Sequence, residues 1–395
     1  MNMSRLDELI RELCPDGVEY KTLGEIGTFY GGITGKTKDD FVDGNAKFIT
    51  YKNVYMNPSL NLNLDDKVKI ADGENQRTLE YADIIFTGSS ETPSECGISS
   101  VVTEQPTEPL YLNSFCFVFK FNNPNIMLPN FSKHLFRSDS LRYQIGRTAS
   151  GVTRYNVSKK LMAKVKIPVP PLPVQQEIVR ILDTFTALTA ELTAELTARK
   201  KQYEYYRDRL LHFDEDEVQW KKLGHVVTIE RGTRLVRNQL NDNEQYPVFQ
   251  NALTPLGYYR EYNREPNNTF MICAGAAGQI GFSDIHFWAA DDCYTFKCCD
   301  NLNNKFLFHV LKNNQHNIDN KVRKASIPRI SREAVGGIKI PIPPLEIQNR
   351  IVSILDRFDS LCNDLSSGLP AEIEARRKQY EYYRDRLLTF KEKKG

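Results

Sequence analysis

Positive charge gathers in two short stretches of a chain that is almost neutral overall. The 395 residues carry a formal net charge of +2. The stretch from Arg137 to Lys160 nevertheless holds six cations against Asp139 alone, and the stretch from Lys321 to Arg332 holds five cations and no acid. Tyr, Ser, Thr and Asn residues are interleaved with these cations. Because Lys and Arg neutralise phosphates while hydroxyl and amide groups bond phosphate oxygens and base edges, this mixture is suited to nucleic acid.

Two shorter basic stretches occur earlier in each half of the chain. One is a glycine-rich loop with Lys36 and Lys38, and the other is Arg231-Gly-Thr-Arg234 with Arg237 nearby. A single charge cluster is more often a solvated surface, but matched positions in both halves favour a shared ligand. The candidate DNA contacts are Lys36, Lys38, Arg147, Arg154, Tyr155, Asn156, Lys159, Lys160, Arg231, Arg234, Arg237, Arg323, Lys324, Arg329 and Arg332.

The sequence contains only incomplete forms of the motifs that are typical of catalysis or metal binding. The run from Gly31 to Thr37 is similar to a phosphate-binding P-loop, but Tyr30 stands where that motif needs its first glycine. Cys293, Cys298 and Cys299 lie close together without a partner pair at zinc-ligand spacing, so buried thiols are the simpler interpretation. The six histidines form no recognisable triad. We therefore expect a protein that is not itself an enzyme.

An eleven-residue helical segment occurs twice. KQYEYYRDRLL spans residues 201–211 and returns letter for letter at 378–388. A proline-rich entry, Lys-Ile-Pro-Val-Pro-Pro-Leu from residue 166 and Lys-Ile-Pro-Ile-Pro-Pro-Leu from residue 339, comes before each copy. The segments that lead into each unit begin with similar sequences at Val18 and Val218. The chain is therefore built from two half-proteins.

The identity of the repeat exceeds what helix packing requires. A coiled seam needs apolar side chains only at its a and d positions, yet the polar residues between them are also identical. A recent duplication confined to the helix is one explanation. The other is that both copies bind the same partner, through Gln202, Tyr205 and Arg207 in the first copy and Gln379, Tyr382 and Arg384 in the second.

Apolar residues three and four apart predict two long helices. The first stripe runs from Ile178 to Leu210, and thirty-odd residues at ~1.5 Å each give a rod of roughly 50 Å. The second runs from Ile347 to Leu387, where Gly368 and Pro370 predict a break. A short amphipathic helix precedes Val18, so the chain looks circular, with both ends meeting at one pole.

The remaining segments mix short apolar strands with turn-forming residues and fewer helices. We expect strands at 84–86, 115–121, 270–273 and 294–297, helices at 131–138 and 304–313, and helix starts capped by Ser158 and Ser331. The predicted fold is α+β: two mixed α/β domains separated by two long antiparallel helices in a coiled coil, a dumbbell with a pseudo-two-fold axis. The predicted boundaries are 1–17 for an N-terminal helix packing with the C-terminal helix, 18–166 for head 1, 167–213 for the first long helix, 214–338 for head 2 and 339–395 for the second long helix.

Composition indicates the compartment. The eight cysteines follow no disulfide framework, and neither a signal peptide nor an apolar run of membrane-spanning length is present. We expect a protein of the reducing cytoplasm that does not contact a membrane.

These features together resemble the specificity subunits of type I restriction-modification enzymes, over essentially the whole chain. The resemblance is closest to the type IC group, in which the first long helix carries tandem Thr-Ala-Glu-Leu repeats, here residues 189–192 and 193–196. It implies that each head is a target-recognition domain that reads one half of a bipartite, asymmetric site in double-stranded DNA. It also implies that the helices set the spacer between the half-sites.

The same resemblance implies the partners. Two methyltransferase subunits would dock on the helices, and two restriction and translocase subunits would complete the complex. S-adenosylmethionine, ATP and Mg²⁺ would then act on those partner subunits, and no cofactor would bind this chain.

Three alternatives remain open at this point. A stand-alone methyltransferase is disfavoured because the chain has no glycine-rich cofactor loop and no Asn-Pro-Pro-Tyr or Asp-Pro-Pro-Tyr motif. A coiled-coil scaffold whose heads bind proteins would show no salt-dependent DNA affinity. A silent or phase-variable cassette, with heads exchanged at the repeats, is a third.

Overall fold

The computed structural model describes residues 3–364 and 366–393, which form two compact units. Unit 1 is Met1–Glu191 with Ile373–Gly395, and unit 2 is Leu192–Glu372. Each unit therefore contains one head and the parts of the long helices that pack against that head. The α+β class, with two mixed heads and long helices, is confirmed, whereas the antiparallel course of the helices and the dumbbell outline stay predictions.

Residues 3–210 form seven α-helices and twelve strands, besides short 3-10 turns. They are α1 (Met3–Leu13), β1 (Glu19–Thr22), α2 (Leu23–Ile26), β2 (Gly27–Gly31), β3 (Ala46–Ile49), α3 (Tyr51–Met56), β4 (Lys67–Val68), β5 (Ile84–Thr87), β6 (Ser89–Ser90), β7 (Ser99–Val101), β8 (Leu110–Leu112), β9 (Cys116–Phe121), α4 (Pro129–Leu135), α5 (Asp139–Gly146), β10 (Ala149–Ser150), β11 (Tyr155–Val157), α6 (Lys159–Met162), β12 (Lys166–Val169) and α7 (Leu172–Leu210). Of these elements, α7 belongs to both units, because the boundary between them falls within it.

The second half has the same kinds of elements in a similar order. They are β13 (Gln219–Lys222), β14 (Val227–Arg231), β15 (Tyr246–Phe249), β16 (Gly257–Tyr259), β17 (Asn268–Ile272), β18 (Ile280–Ser283), β19 (Trp288–Ala289), β20 (Cys293–Cys298), α8 (Asn304–Asn313), α9 (Gln315–Asp319), α10 (Arg332–Gly336), β21 (Lys339–Ile342), α11 (Leu345–Asn363) and α12 (Leu369–Leu387). The predicted strands and helices agree with these bounds to within a few residues.

Both heads are built on the same four-stranded antiparallel sheet. Its order is β2-β9-β5-β7 in head 1 and β14-β20-β17-β18 in head 2. Gly27 pairs with Phe121 in the first sheet, and Val227 pairs with Cys298 at the same place in the second. A parallel pair, β3-β8 or β15-β19, adds a smaller sheet to each head. The heads thus share a fold although their sequences hardly match, because a sheet requires a pattern of buried residues rather than identical ones.

The long helices differ in continuity. The first is unbroken over the 39 residues of α7, whereas the second is interrupted between α11 and α12, as predicted. Gly368 lies in that interruption with backbone on several sides: a β-carbon there would lie 2.6 Å from the carbonyl oxygen of Ser360 and 2.9 Å from that of Leu361. A side chain at this position would therefore force the turn open.

Each unit packs one repeated tyrosine on a phenylalanine of the facing helix. In unit 1 the ring of Phe185 stacks on Tyr383 at 5.3 Å, and in unit 2 the ring of Phe358 stacks on Tyr206 at 5.7 Å. Tyr206 and Tyr383 are the same residue of the repeat. Internal packing therefore accounts for part of the identity between the two copies.

A buried histidine joins each head to its long helix. In unit 1, His134 Nε2 lies 2.7 Å from Asp183 Oδ1 and its Nδ1 lies 2.8 Å from the Tyr380 hydroxyl. In unit 2, His309 Nε2 lies 3.3 Å from Asp356 Oδ1. Burial lowers the pKa of both His134 and His309, which favours the neutral imidazole. Each histidine therefore holds its head against the long helix through hydrogen bonds, without a permanent charge on the buried ring.

Residues from both ends of the described chain meet in unit 1. The Val18 N–H donates to the Lys391 carbonyl at 2.8 Å, and the Lys393 N–H donates back to the Val18 carbonyl at 2.9 Å. Leu6 of α1 belongs to the same buried cluster as Leu387 and Leu388 at the end of the second long helix. The circular layout that the sequence predicts is therefore present.

Candidate nucleic-acid interface

Three exposed cations of head 1, Arg154, Lys159 and Lys160, lie on a short hairpin and at the helix start that follows it, and Arg147 lies at the end of α5 just before the hairpin. Hairpin 1 consists of β10, β11 and the turn between them, and β11 also pairs with β6 through Asn156 and Ser89. The turn depends on Gly151, whose φ is +156° and whose β-carbon would lie 2.0 Å from the Arg154 carbonyl oxygen. The Ser158 hydroxyl accepts the Leu161 N–H at 3.3 Å and caps α6, as predicted.

Two aromatic rings of head 1 support these cations. The Arg154 guanidinium lies 5.9 Å from the centre of the Phe115 ring, and the Lys159 ammonium lies 5.4 Å from that of Phe117. Arg154 Nε and Nη2 also donate to Ser89 Oγ at 3.0 and 2.9 Å. Hydrogen bonds and ring contacts of this kind hold a cation in place without neutralising it. The predicted residues Arg147, Arg154, Asn156, Lys159 and Lys160 are exposed, and Tyr155 is half-buried.

The structure corrects the prediction for Lys36. Its ammonium lies 2.6 Å from Glu74 Oε2, and its side chain is only 9% exposed. Hydrogen bonds from Lys36, the Ala71 backbone and Gln76 lower the pKa of Glu74 to about 2. Lys36 is therefore one half of an internal ion pair that stiffens the loop, whereas Lys38 beside it is exposed. Lys36 is therefore not a free surface cation that could contact DNA.

Two other cations of the first basic stretch are also internal. Arg137 Nε donates to the Ser99 carbonyl at 2.8 Å, and burial lowers the pKa of its guanidinium to about 10. Arg142 Nη2 donates to the carbonyls of Ser94 and Cys96. The six cations counted in the sequence thus divide into two that fasten the head and four that remain on the surface.

Head 2 repeats the arrangement with different residues. The Ser331 hydroxyl accepts the Ala334 N–H at 3.2 Å and caps α10, whose first residue, Arg332, donates through Nη2 to the Ile229 carbonyl. Hairpin 2 comprises residues 323–329, in which Arg323 and Arg329 exchange backbone hydrogen bonds at 2.8 and 3.1 Å. Arg329 also forms a β-bridge with Ala274, just beyond β17.

The loop after the first sheet strand also corresponds in the two heads. A β-carbon at Gly32 would lie 2.0 Å from the Asn113 carbonyl oxygen, and one at Gly232 would lie 2.1 Å from that of Ala290. Arg231 ends β14, and its Nε donates to the Asp291 carbonyl at 2.7 Å. The remaining predicted residues of head 2 lie exposed on this loop and on hairpin 2: Arg234, Arg237, Arg323, Lys324 and Arg329.

The predicted partner-binding residues divide into an exposed and an internal set. Tyr205 is 58% exposed and Tyr382 is 61% exposed. The amide oxygens of Gln202 and Gln379 accept hydrogen bonds from Arg199 and Arg376, at 3.0 and 3.2 Å. Both tyrosines are therefore available to a partner, and the two glutamines are held in the same way.

The structure corrects the prediction for the two repeated arginines. Arg384 is only 8% exposed, and its Nη2 lies 2.7 Å from Asp139 Oδ1 of α5. Arg207 Nε donates to Asn313 Oδ1 of α8 at 3.0 Å. Arg384 is buried and Arg207 is half-buried, and each guanidinium fastens the repeated segment to its own head.

Two cations of the repeat that the prediction missed flank the exposed tyrosine. Lys201 and Arg209 lie four residues before and after Tyr205, and Lys378 and Arg386 do so around Tyr382. All four are exposed, and residues four apart share a helix face. We call these two sets, Lys201, Tyr205 and Arg209 on α7 and Lys378, Tyr382 and Arg386 on α12, the docking stripes. Letter-for-letter identity was the available signal, but it could not separate exposed residues from internal ones.

Residues 3–364 and 366–393 hold no group of three His, Cys, Asp or Glu side chains arranged to bind a metal. Within the same residues, no helix combines the length and hydropathy needed to cross a membrane.

The sequence matches a family model described as the type I restriction modification DNA specificity domain, at residues 15–199 and again at 215–375. Because these two matches cover most of the chain, it belongs to the type I restriction-modification specificity family. The resemblance to type I specificity subunits is thereby confirmed, whereas the assignment to the type IC group stays a prediction.

Individual relatives agree with this assignment. The chain is 37% identical over 262 residues to the EcoR124I/EcoR124II specificity subunit of Escherichia coli, a match covering 59% of this chain and 65% of that relative. It is 36% identical over 270 residues to a putative specificity subunit of Haemophilus influenzae, covering 61% and 68%. The matched stretch thus spans about two thirds of each relative.

Solved structures share the fold at lower identity. The S subunit of a type I restriction-modification system from M. genitalium superimposes with a TM-score of 0.60 at 15% identity, covering 94% of this chain and 96% of that one. The HsdS subunit from Thermoanaerobacter tengcongensis gives 0.51 at 18% identity, covering 95% and 97%. The two-headed α+β fold is therefore that of known S subunits.

Proposed function

We propose that this chain is the DNA-specificity subunit of a type I restriction-modification complex. Each head contacts one half of a bipartite, asymmetric site in double-stranded DNA. The observation that carries the proposal is the recurrence of one basic hairpin and capped helix start, at corresponding places in two heads whose side chains differ. A shared scaffold with different surface residues is what reading two different half-sites requires.

The long helices supply the second part of the proposal. The docking stripes place identical Lys, Tyr and Arg residues on α7 and α12, and two copies of one surface suit two copies of one methyltransferase subunit. Two restriction and translocase subunits would join the same complex. S-adenosylmethionine, ATP and Mg²⁺ would act on the partners, while this chain contributes recognition and no catalysis in the cytoplasm.

The first experiment isolates the complex by its tagged specificity chain and measures stoichiometry by native mass spectrometry. We expect two methyltransferase subunits per chain. Recovery of the chain alone, or with unrelated proteins only, would overturn the docking proposal. Mapping the methylated adenines in the host genome then gives the bipartite site used in the experiments below.

Replacing the exposed tyrosines tests the docking stripes. We expect Tyr205→Ala or Tyr382→Ala alone to leave one methyltransferase subunit per chain at micromolar concentration, and the double substitution to leave none. Aromatic residues with neighbouring cations commonly dominate the free energy of such an interface, at ~2 kcal/mol or more each. Native mass spectrometry provides the count. Tyr205→Phe keeps the ring and serves as the control, and undiminished binding of two subunits by the double variant would exclude the stripes.

Removing one arginine from each hairpin tests whether the hairpins contact DNA, and it distinguishes DNA recognition from the protein-scaffold alternative. We expect Arg154→Ala and Arg329→Ala each to weaken DNA binding by the assembled complex and to reduce the slope of log affinity against log salt by about 1, as the loss of one phosphate contact does. Fluorescence anisotropy at several salt concentrations measures both quantities. Arg11→Ala removes an exposed arginine outside the heads and should change neither. A salt-independent affinity of the unaltered complex would favour the scaffold.

A further inference from the structure

Each basic hairpin carries an exposed aliphatic residue near its tip. Val152 of hairpin 1 is 90% exposed, and Ile327 of hairpin 2 is 55% exposed. Each lies two residues before the arginine that we assign to DNA, Val152 before Arg154 and Ile327 before Arg329. Single exposed aliphatic residues are common on protein surfaces, but two heads with unrelated sequences have placed one at the same point of the same hairpin.

Both tips are fastened to the sheet behind them. Hairpin 1 is paired to β6 on one side, as described above, and Gly151 closes its turn. In hairpin 2, the Gly275 N–H donates to the Pro328 carbonyl at 3.1 Å, and the Ile330 N–H donates to the Cys273 carbonyl at 3.0 Å. The aliphatic side chains are therefore held outward by backbone hydrogen bonds, so little conformational entropy is lost when a ligand covers them.

The surroundings of the tips limit what can cover them. Exposed cations lie within seven residues of each tip in the sequence, Arg147, Arg154 and Lys159 around Val152, and Lys324 and Arg329 around Ile327, and they favour an anionic ligand. The tip itself requires a small apolar group at the centre of that contact. In the grooves of double-stranded DNA, the base-edge group that meets this requirement is the C5 methyl of thymine, which projects into the major groove between the phosphate backbones.

We propose that Val152 and Ile327 are specificity-determining residues, each of which packs against the methyl group of a thymine in its own half-site. This inference rests on the proposed function, in which each head reads one half-site. A methylated adenine mapped within a half-site pairs with a thymine, so such a half-site offers the methyl group that this contact needs. The flanking arginines position the hairpin on the phosphate backbone of the DNA, and the aliphatic side chain at the tip distinguishes thymine from cytosine.

Deoxyuridine substitution tests the contact chemically, because it removes the methyl group and leaves every hydrogen-bonding group of the base. We would place deoxyuridine at each thymine of the mapped site in turn and measure affinity for the chain assembled with its methyltransferase. We expect one position in each half-site to lose about three- to five-fold in affinity, the effect of exposing one methyl group. Val152→Ser should abolish the loss in its own half-site and keep it in the other, and Ile327→Ser should do the reverse.

Each head is therefore the control for the other, and thermal unfolding of both variants establishes that they are folded. If no thymine responds to deoxyuridine while the complex still prefers its mapped site, the tip contact is wrong and the proposed function stands. If the complex binds mapped and unrelated DNA equally, the proposed function itself fails. A tip inserted between base pairs would instead raise the fluorescence of 2-aminopurine at one step, with no deoxyuridine effect, and would also overturn the thymine contact.

Discussion

A third Thr-Ala-Glu-Leu unit inserted after Leu196 widens the unread spacer of the DNA site and leaves both half-sites unchanged. The two existing units, residues 189–196, lie within the unbroken helix α7. Four more helical residues add ~6 Å and turn the helix by ~400°, close to one full turn plus ~40°. Base pairs in B-DNA rise ~3.4 Å and turn ~35° each, so one or two additional base pairs restore the match between heads and DNA.

A map of methylated adenines in a host carrying the lengthened chain measures this directly. An insertion of two residues at the same point is the control, because it turns one part of the helix by ~200° relative to the other and should abolish methylation rather than move it. Methylation at the original spacing in the four-residue variant would show that α7 does not set the spacer.

The helices and strands could be predicted from the sequence because their signals are local. Apolar residues three and four apart mark α7 and α11, and Gly368 with Pro370 marks the break between α11 and α12. Ser158 and Ser331 are recognisable as caps because the helix begins with the next residue. Such features depend on residues within one turn of each other, which a single sequence displays.

Partners of charged groups could not be predicted, because they lie far apart in the chain. Lys36 meets Glu74 across 38 residues, and Arg384 meets Asp139 across 245 residues. A sequence shows which residues carry charge but not which charges the fold neutralises. The same limit explains why Arg137 and Arg142 were counted with the basic stretch, although the structure places their guanidinium groups among backbone carbonyls.

Beyond the similar segments at Val18 and Val218, the sequence did not show that the two heads share one fold. Their sheets correspond strand by strand, yet the matched positions Gly31 and Arg231, or Tyr30 and Glu230, share no chemistry. Selection for a different half-site in each head would leave the buried pattern of the sheet intact while replacing its exposed residues. The docking stripes behave in the opposite way, because both must fit the same partner.

Replacing Gln175 by Ala should strongly destabilise unit 1. Its side chain is completely buried at the start of α7, where Oε1 accepts the Leu128 N–H at 2.8 Å and Nε2 donates to the carbonyls of Ile126 and Pro170 at 3.0 and 2.8 Å. Gln348 makes the corresponding three bonds in unit 2, to the Asn303 N–H and to the carbonyls of Asn301 and Pro343. One amide thus ties a head segment and the proline-rich entry to each long helix.

The loss leaves three backbone groups without partners in a buried site, each at a cost of ~1–3 kcal/mol, so we expect the free energy of unfolding to fall by about 3–5 kcal/mol. For a unit of this size the midpoint of thermal unfolding should drop by roughly 10 °C. Gln176→Ala, one residue further along and exposed, is the matched control and should change the midpoint by about 1 °C or less. Calorimetry of the complete chain measures both variants. If Gln175→Ala and Gln176→Ala had the same midpoint of thermal unfolding, the hydrogen bonds of Gln175 would not be what ties head 1 to α7. The hydrogen bonds within the sheet of head 1 would then have to stabilise that junction.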